Sequence, residues 1–224
     1  MPDNWNMSSG MTSRREAMAR ATRADLLAAA REAFVERGFA DASLTEIAQR
    51  AQATTGALYH HFADKRAIFA AVAEDIEAEL LDHIERSAPP TADAWMSIEH
   101  AITQTLEFAS RPGIARIIFR DAPTVLGADA WLEIEMRHAY GRLHHVLSAL
   151  AAAGQLGGHD PGLVTGIILG ALMQTVTAIA ASENDPATLR AAKAAMQAVP
   201  TAFRSANLGD DTRVDKSNQK VLEC

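Results

Sequence analysis

Apolar residues recur three and four positions apart along most of this chain, while period-two alternation is scarce, so the pattern predicts helices throughout. Over residues 22–37, Leu26, Leu27, Ala30, Phe34 and Val35 form one apolar face, and Gly38 follows as a helix-ending residue. Ser43 and Glu46 stand at capping-box spacing, which predicts a second helix from Leu44 with Ile47, Ala48 and Ala51 as a small apolar face. After a turn at Gln52 and Ala53, Thr54 is a good N-cap for a third, short helix whose inward stripe is Leu58 and Phe62. Asp64 then caps a fourth helix over residues 65–86, with Ile68, Phe69, Val72, Ile76, Leu80 and Ile84 at helical spacing.

Pro89 and Pro90 end that helix, and a fifth is predicted over about residues 91–110, with Trp95, Ile98, Ile102, Leu106 and Ala109 on one face. Arg111-Pro112-Gly113 breaks it. A short helix at 114–120 and a loop at Asp121-Ala122-Pro123 follow. Gly127 precedes one long helix through Leu150, in which Met136, Tyr140, Leu143, Leu147 and Leu150 form a packing stripe. An uncharged segment over 161–182 and an Ala-rich one over about 186–206 complete the helices. The pattern is therefore all-α. It divides into a flexible arm (1–19), a three-helix N-terminal domain with a helix-turn-helix (20–80, motif 43–62), a larger helical domain (81–206) and a polar, disordered tail (207–224).

Helices as short as the second and third cannot stand alone in water, so neighbouring helices must hold them. On the third helix Thr55, Ala57, Tyr59 and His60 fall on the side away from Leu58, the side that a helix-turn-helix presents to a DNA major groove. Gly56 allows close backbone approach, and Thr54 adds a hydroxyl. The helix lacks Arg, Lys, Asn and Gln, so thymine methyl contacts, single hydrogen bonds and DNA shape are expected to carry its specificity. Thr45 and Arg50, on the preceding helix, are phosphate candidates.

These residues carry a family resemblance. T-R-A-D-L-L at 22–27, A-A-R-E-A-F at 29–34, G-F at 38–39, S-L-T-E-I-A at 43–48, T-T-G-A-L-Y-H-H-F at 54–62 and D-K at 64–65 resemble the DNA-binding domain of TetR/AcrR bacterial transcriptional regulators. The resemblance covers about a quarter of the chain and departs at Gln52, where the family has Gly. A positive φ there costs a non-glycine residue on the order of 1–2 kcal/mol. The resemblance implies that Tyr59 and Lys65 hold phosphates, and that the later helical region houses an effector pocket. It also implies a homodimer in which the helices at about 160–182 and 186–206 pair with their copies. Gly162, Gly166 and Gly170, four apart, make a flat strip suited either to that partner or to a helix of the same chain.

The net charge of −7 is unfavourable for a DNA binder until it is divided. Residues 11–66 carry +2 and the remainder −9, so one end approaches phosphate while the other is repelled. The only cysteine, Cys224, leaves no disulfide framework or cysteine metal cluster, which fits a cytoplasmic protein. The first ten residues lack the apolar stretch of a secretory signal. Segment 161–182 is long enough to span a bilayer, but it contains Thr165, Gln174, Thr175 and Thr177 and has no basic anchors. A soluble core helix, buried all round, is expected instead, with no membrane partner.

Trp95, Phe108, Phe119, Trp131 and Tyr140 concentrate in the middle helices, with Met173 as adaptable filler, and Arg116, Arg120 and His138 are polar anchors for a pocket. Glu135 and His138 match half of a di-iron bundle motif, but no second E-x-x-H exists, so no metal and no other cofactor is expected. Nucleophile-elbow, Walker and dinucleotide motifs are missing from the sequence, which argues against an enzyme. The reading is a DNA-binding regulator, a repressor released from a palindromic operator by a small, mostly apolar effector. The alternative is a helical ligand- or metal-binding protein whose helix-turn-helix is only structural.

Overall fold

The computed structural model describes residues 7–90 and 93–205. Helix α1 spans Met7–Asp41 and breaks at Gly38, whose φ of 80° lies in the left-handed region. It starts well before the expected boundary, so residues 7–19 form helix instead of a loose arm. Arg, Glu, Ala and Met dominate residues 14–21, and good helix formers prolong a helix already anchored downstream. The expected tail at 207–224 lies outside the described residues.

Helices α2 (Leu44–Arg50) and α3 (Thr55–His61) follow, and α4 (Lys65–Ser87) runs out of the reader. Leu26, Ala30, Phe34, Ile47, Leu58, Phe62, Ile68 and Phe69 meet in one core. The Phe69 ring stands edge-on to both Phe34 and Phe39, with centroids 5.0 Å apart in each pair. Burial stabilises each large side chain here by about 1.5–3 kcal/mol, which is what allows α2 and α3 to be only two turns long. This core does not end at residue 80: it continues along α4 to Ile117, Ile118, Leu126, Trp131 and Ile134.

Helix α5 (Ala94–Ala109) is capped by Asp93. After it, the loop expected at 121–123 does not form. Arg116–Asp121 is a π-helical turn that passes directly into α6 (Ala122–Leu126). Pro123 has no N–H to offer the preceding turn, and the wider π pairing, in which Ala122 N–H donates to Ile117, takes up the misfit without ending the helix.

The expected long helix is two helices, α7 (Ala128–Arg137) and α8 (Ala139–Ala152), broken at His138 with φ −119° and ψ −108°. Gly141 makes the break possible. A Cβ there would lie 2.1 Å from the Met136 carbonyl oxygen, closer than any side chain tolerates. Met136 consequently leaves the predicted stripe and is exposed, whereas Leu147 and Leu150 are buried.

Helix α9 (Pro161–Ala181) and α10 (Pro186–Thr201) pack with α5 and α8 around a second core that includes Trp95, Leu106, Leu147, Ile168 and Val176. Among the described residues α9 is the one helix long and apolar enough to cross a bilayer, with a mean hydropathy of 1.9. It is not buried all round. Val164, Ile168, Leu172, Val176 and Ile179 face the core, while Leu163, Ile167 and Met173 are exposed and Gly166 and Gly170 have open space above them.

Candidate nucleic-acid interface and ligand cavity

Three side-chain caps define the reader. Ser43 Oγ accepts from Glu46 N–H at 3.1 Å, Thr54 Oγ1 from Ala57 N–H at 3.1 Å, and Asp64 Oδ1 from Ala67 N–H at 2.7 Å. The turn between α2 and α3 is held by Ala53 N–H donating to Ala48 at 2.9 Å, and Gln52 sits at φ 52°. The left-handed turn is therefore kept although glycine is not.

Leu58 and Phe62 point inward, as the spacing predicts. On the other side Thr55, Gly56, Tyr59 and His60 are exposed and Ala57 is half-buried, so this face takes no part in packing the chain's own core. Thr45 is exposed at the start of α2. Thr54's hydroxyl oxygen already accepts the cap bond.

Arg50 is turned elsewhere. Its guanidinium makes a two-pronged pair with Glu36 on α1, at 2.6 and 3.0 Å, and also bonds Glu46 at 2.7 Å. It joins α1 to α2, and its hydrogen bonds hold the Glu36 carboxyl below the usual range. Lys65 donates to the Ala40 carbonyl at 2.8 Å and lies 4.7 Å over the Phe39 ring, so it too supports the end of α1. Arg23, which the sequence reading passed over, lies over the Phe62 ring at 5.2 Å and puts an exposed cation beside α3.

A cavity of about 450 Å³ opens among α4, α5, the π turn, α6, α7, α8 and α9. Of the nine pocket candidates, Phe119, Trp131, Tyr140 and Met173 line it, and the other five do not. Trp95 is in the second core beneath Arg204, and Phe108 is in the first core against Arg111. Arg116 bonds the backbone of α1, and Arg120 is exposed and paired with Asp121 at 3.0 Å. His138, at the helix break, turns Nε2 toward Glu74 at 3.7 Å. Helical spacing brings aromatic residues inside but does not say which side of each helix meets the void.

The sequence reading missed Glu77 and weighed Glu135 only as half of a metal motif; both line this cavity, as does Glu85, which is paired with Arg142. Glu77 is only 3% exposed, and its Oε2 is buried with no hydrogen-bond partner. Burial, reinforced by the charge of Glu135, pushes its pKa up to about 7. Burial also raises that of Glu135. The signal was available in the sequence, because Glu77 falls four residues after Ala73 and three before Leu80, on the apolar stripe of α4. Glu135 and His138 face different neighbours, and among the described residues no three metal-binding side chains cluster.

Comparison with known proteins matches both halves. Residues 26–72 fit the model of bacterial regulatory proteins of the tetR family, and residues 95–202 fit the tetracyclin repressor-like C-terminal domain. A solved TetR-family transcriptional regulator from Pectobacterium atrosepticum is 34% identical. The match covers 85% of this chain and 97% of that one, with a TM-score of 0.68. The transposon Tn10 TetC protein of Escherichia coli is 23% identical over 69% of this chain and 78% of its own length. The HTH-type transcriptional repressor BepR of Brucella suis is 48% identical over 59 residues, which is 26% of this chain and 28% of BepR.

Proposed function

The chain belongs to the TetR family of bacterial transcriptional regulators, and from that premise we propose that it is a cytoplasmic repressor that binds a palindromic operator as a homodimer. In this reading a small, mostly apolar molecule enters the cavity and releases the DNA, and the chain acts by binding alone. The observation that carries the reading is the course of α4. It starts at Lys65, immediately after the reader helix, and its distal part supplies Leu80, Leu81 and Ile84 to the cavity wall. A ligand that favours one tilt of α4 would move two readers off successive major grooves, which in such dimers lie about 34–36 Å apart.

Thr55, Gly56, Ala57 and His60 are assigned to base edges and groove shape, and Thr45, Tyr59 and Lys65 to phosphates. The outward side of α9, with Leu163 and Ile167, is assigned to a second copy together with α10, which accounts for a long apolar helix without a membrane. Repression is supported by the BepR likeness, which is confined to the reader. The alternative, a bundle whose helix-turn-helix is only structural, is not favoured, because the outward face of α3 supports nothing inside the chain.

Footprinting on DNA upstream of the chain's own gene tests the proposal. Two symmetric protected half-sites are expected. Full affinity for a single asymmetric half-site would overturn the dimeric reading.

A further inference from the structure

The cavity wall is apolar over most of its extent, with Leu80, Ile98, Ile102, Phe119, Leu143 and Leu169 among its residues. Its polar content is unbalanced. Glu77 from α4 and Glu135 from α7 both belong to the lining, and the buried Glu77 Oε2 meets no donor. Among the described residues the one cation in the wall is Arg142 on α8, already paired with Glu85, itself a third acid of the lining. Tyr140 adds a phenol from α8, while α5, the π turn and α9 present no charged side chain to the cavity. A buried carboxylate without a counter-ion is costly, and an amide or a leucine at position 77 would avoid that cost.

We infer that the cavity takes an amphipathic organic cation, whose ammonium or amidinium group sits between Glu77 and Glu135 while its hydrocarbon lies against the apolar wall. The inference deepens the effector reading above and rests on it. An anionic ligand would meet Glu77 and Glu135 and, among the described residues, no cation without a carboxylate partner. A neutral alcohol would satisfy one acceptor and leave the second acid uncompensated. The volume suits a ligand of drug size or smaller. Without ligand, burial and the neighbouring Glu135 keep Glu77 substantially protonated near neutrality. Entry of the cation favours the carboxylate, and the released proton passes to the solvent.

The test uses the full chain and three probes of equal length and different head charge: octylammonium, 1-octanol and octanoate. Calorimetric titration at about pH 8, where Glu77 is ionised, should find octylammonium bound at least about thirtyfold more tightly than either of the others. Its affinity should fall as the buffer is taken to about pH 6, because Glu77 must then lose a proton to bind. Glu77→Gln should weaken octylammonium by about thirtyfold while changing 1-octanol by less than about threefold, and Glu135→Gln should act in the same direction.

Equal or tighter binding of 1-octanol or octanoate by the unaltered chain would overturn the inference, as would unchanged octylammonium affinity in a folded Glu77→Gln variant. Operator affinity measured beside each titration separates the two proposals. Release by 1-octanol without a preference for the cation would leave an effector cavity but sink the cation site. Octylammonium bound through Glu77 with no effect on operator would keep the cation site and sink the effector reading. Binding of none of the three probes would overturn both.

Discussion

Arg116, on the π-helical turn, donates through Nη2 to the Phe34 carbonyl at 2.5 Å and to the neighbouring Val35 carbonyl, and its guanidinium lies against Gly38. A cation thus meets backbone carbonyls at the negative end of the straight part of α1. Arg66 does the same in the other direction, donating from the start of α4 to the Leu126 carbonyl at the end of α6. The reader is therefore joined to the cavity by more than α4: Phe119, three residues beyond Arg116, is itself in the cavity wall.

Replacing Arg116 with Met should cost about 2–3 kcal/mol of stability, since both bonds involve a charged donor. The variant should also release operator less completely at saturating ligand. Thermal unfolding and operator titrations with and without ligand check the two effects separately. A variant that melts lower but responds normally would confine Arg116 to stability.

Lys65→Ala should lower operator affinity for all sequences alike and reduce the salt slope by about 1. Arg50→Ala should lower the melting temperature, because it breaks the links to Glu36 and Glu46, and leave the salt slope unchanged. Its network is solvent-accessible, so the shift should be small. Thr55→Val should alter which bases are preferred at the site while leaving the salt slope alone.

Ile167 is 50% exposed on the outward side of α9. Ile167→Glu should place a charge in the proposed subunit contact and shift the protein to monomer in sedimentation or light scattering. Operator affinity should fall with it, because a single reader makes only half of the contacts. A variant that remains a dimer would remove α9 from the interface.

Gln52 holds φ 52° where a side chain is disfavoured. Gln52→Gly should stabilise the protein by about 0.5–1 kcal/mol, the relief of left-handed strain being partly offset by the added freedom of the unfolded chain. An upward shift of the thermal midpoint checks it. Gln52→Val should move the midpoint downward.

Glu77 makes stability depend on pH in the sense opposite to most carboxylates. Its folded pKa is raised from 4.5 to about 7, so between those values the folded state binds more protons than the unfolded one. The contribution is fully present below about pH 4.5, is lost as pH rises toward 7, and is constant above. Denaturant titrations across that range should show a decline of up to about 3 kcal/mol attributable to this group, and Glu77→Gln should abolish it.

The reader was legible in the sequence because its determinants are local. Ser43, Thr54 and Asp64 cap helices through atoms three residues away, and Leu58 and Phe62 face inward by periodicity alone. The positive φ at Gln52 followed from the turn itself. Other features depended on residues far apart in sequence. Arg50 and Lys65 find partners on α1 only after the helices have packed, and Arg116 bonds carbonyls more than eighty residues away. The π turn and the break at His138 satisfy periodicity equally well as loop or as continuous helix, and they were decided by Pro123 and Gly141 meeting neighbouring backbone. The cavity is a gap left between seven elements, and a gap has no residue pattern of its own. Apolar spacing therefore determined that α4 and α7 are packed on one side, while only their packing placed Glu77 and Glu135 in the cavity wall.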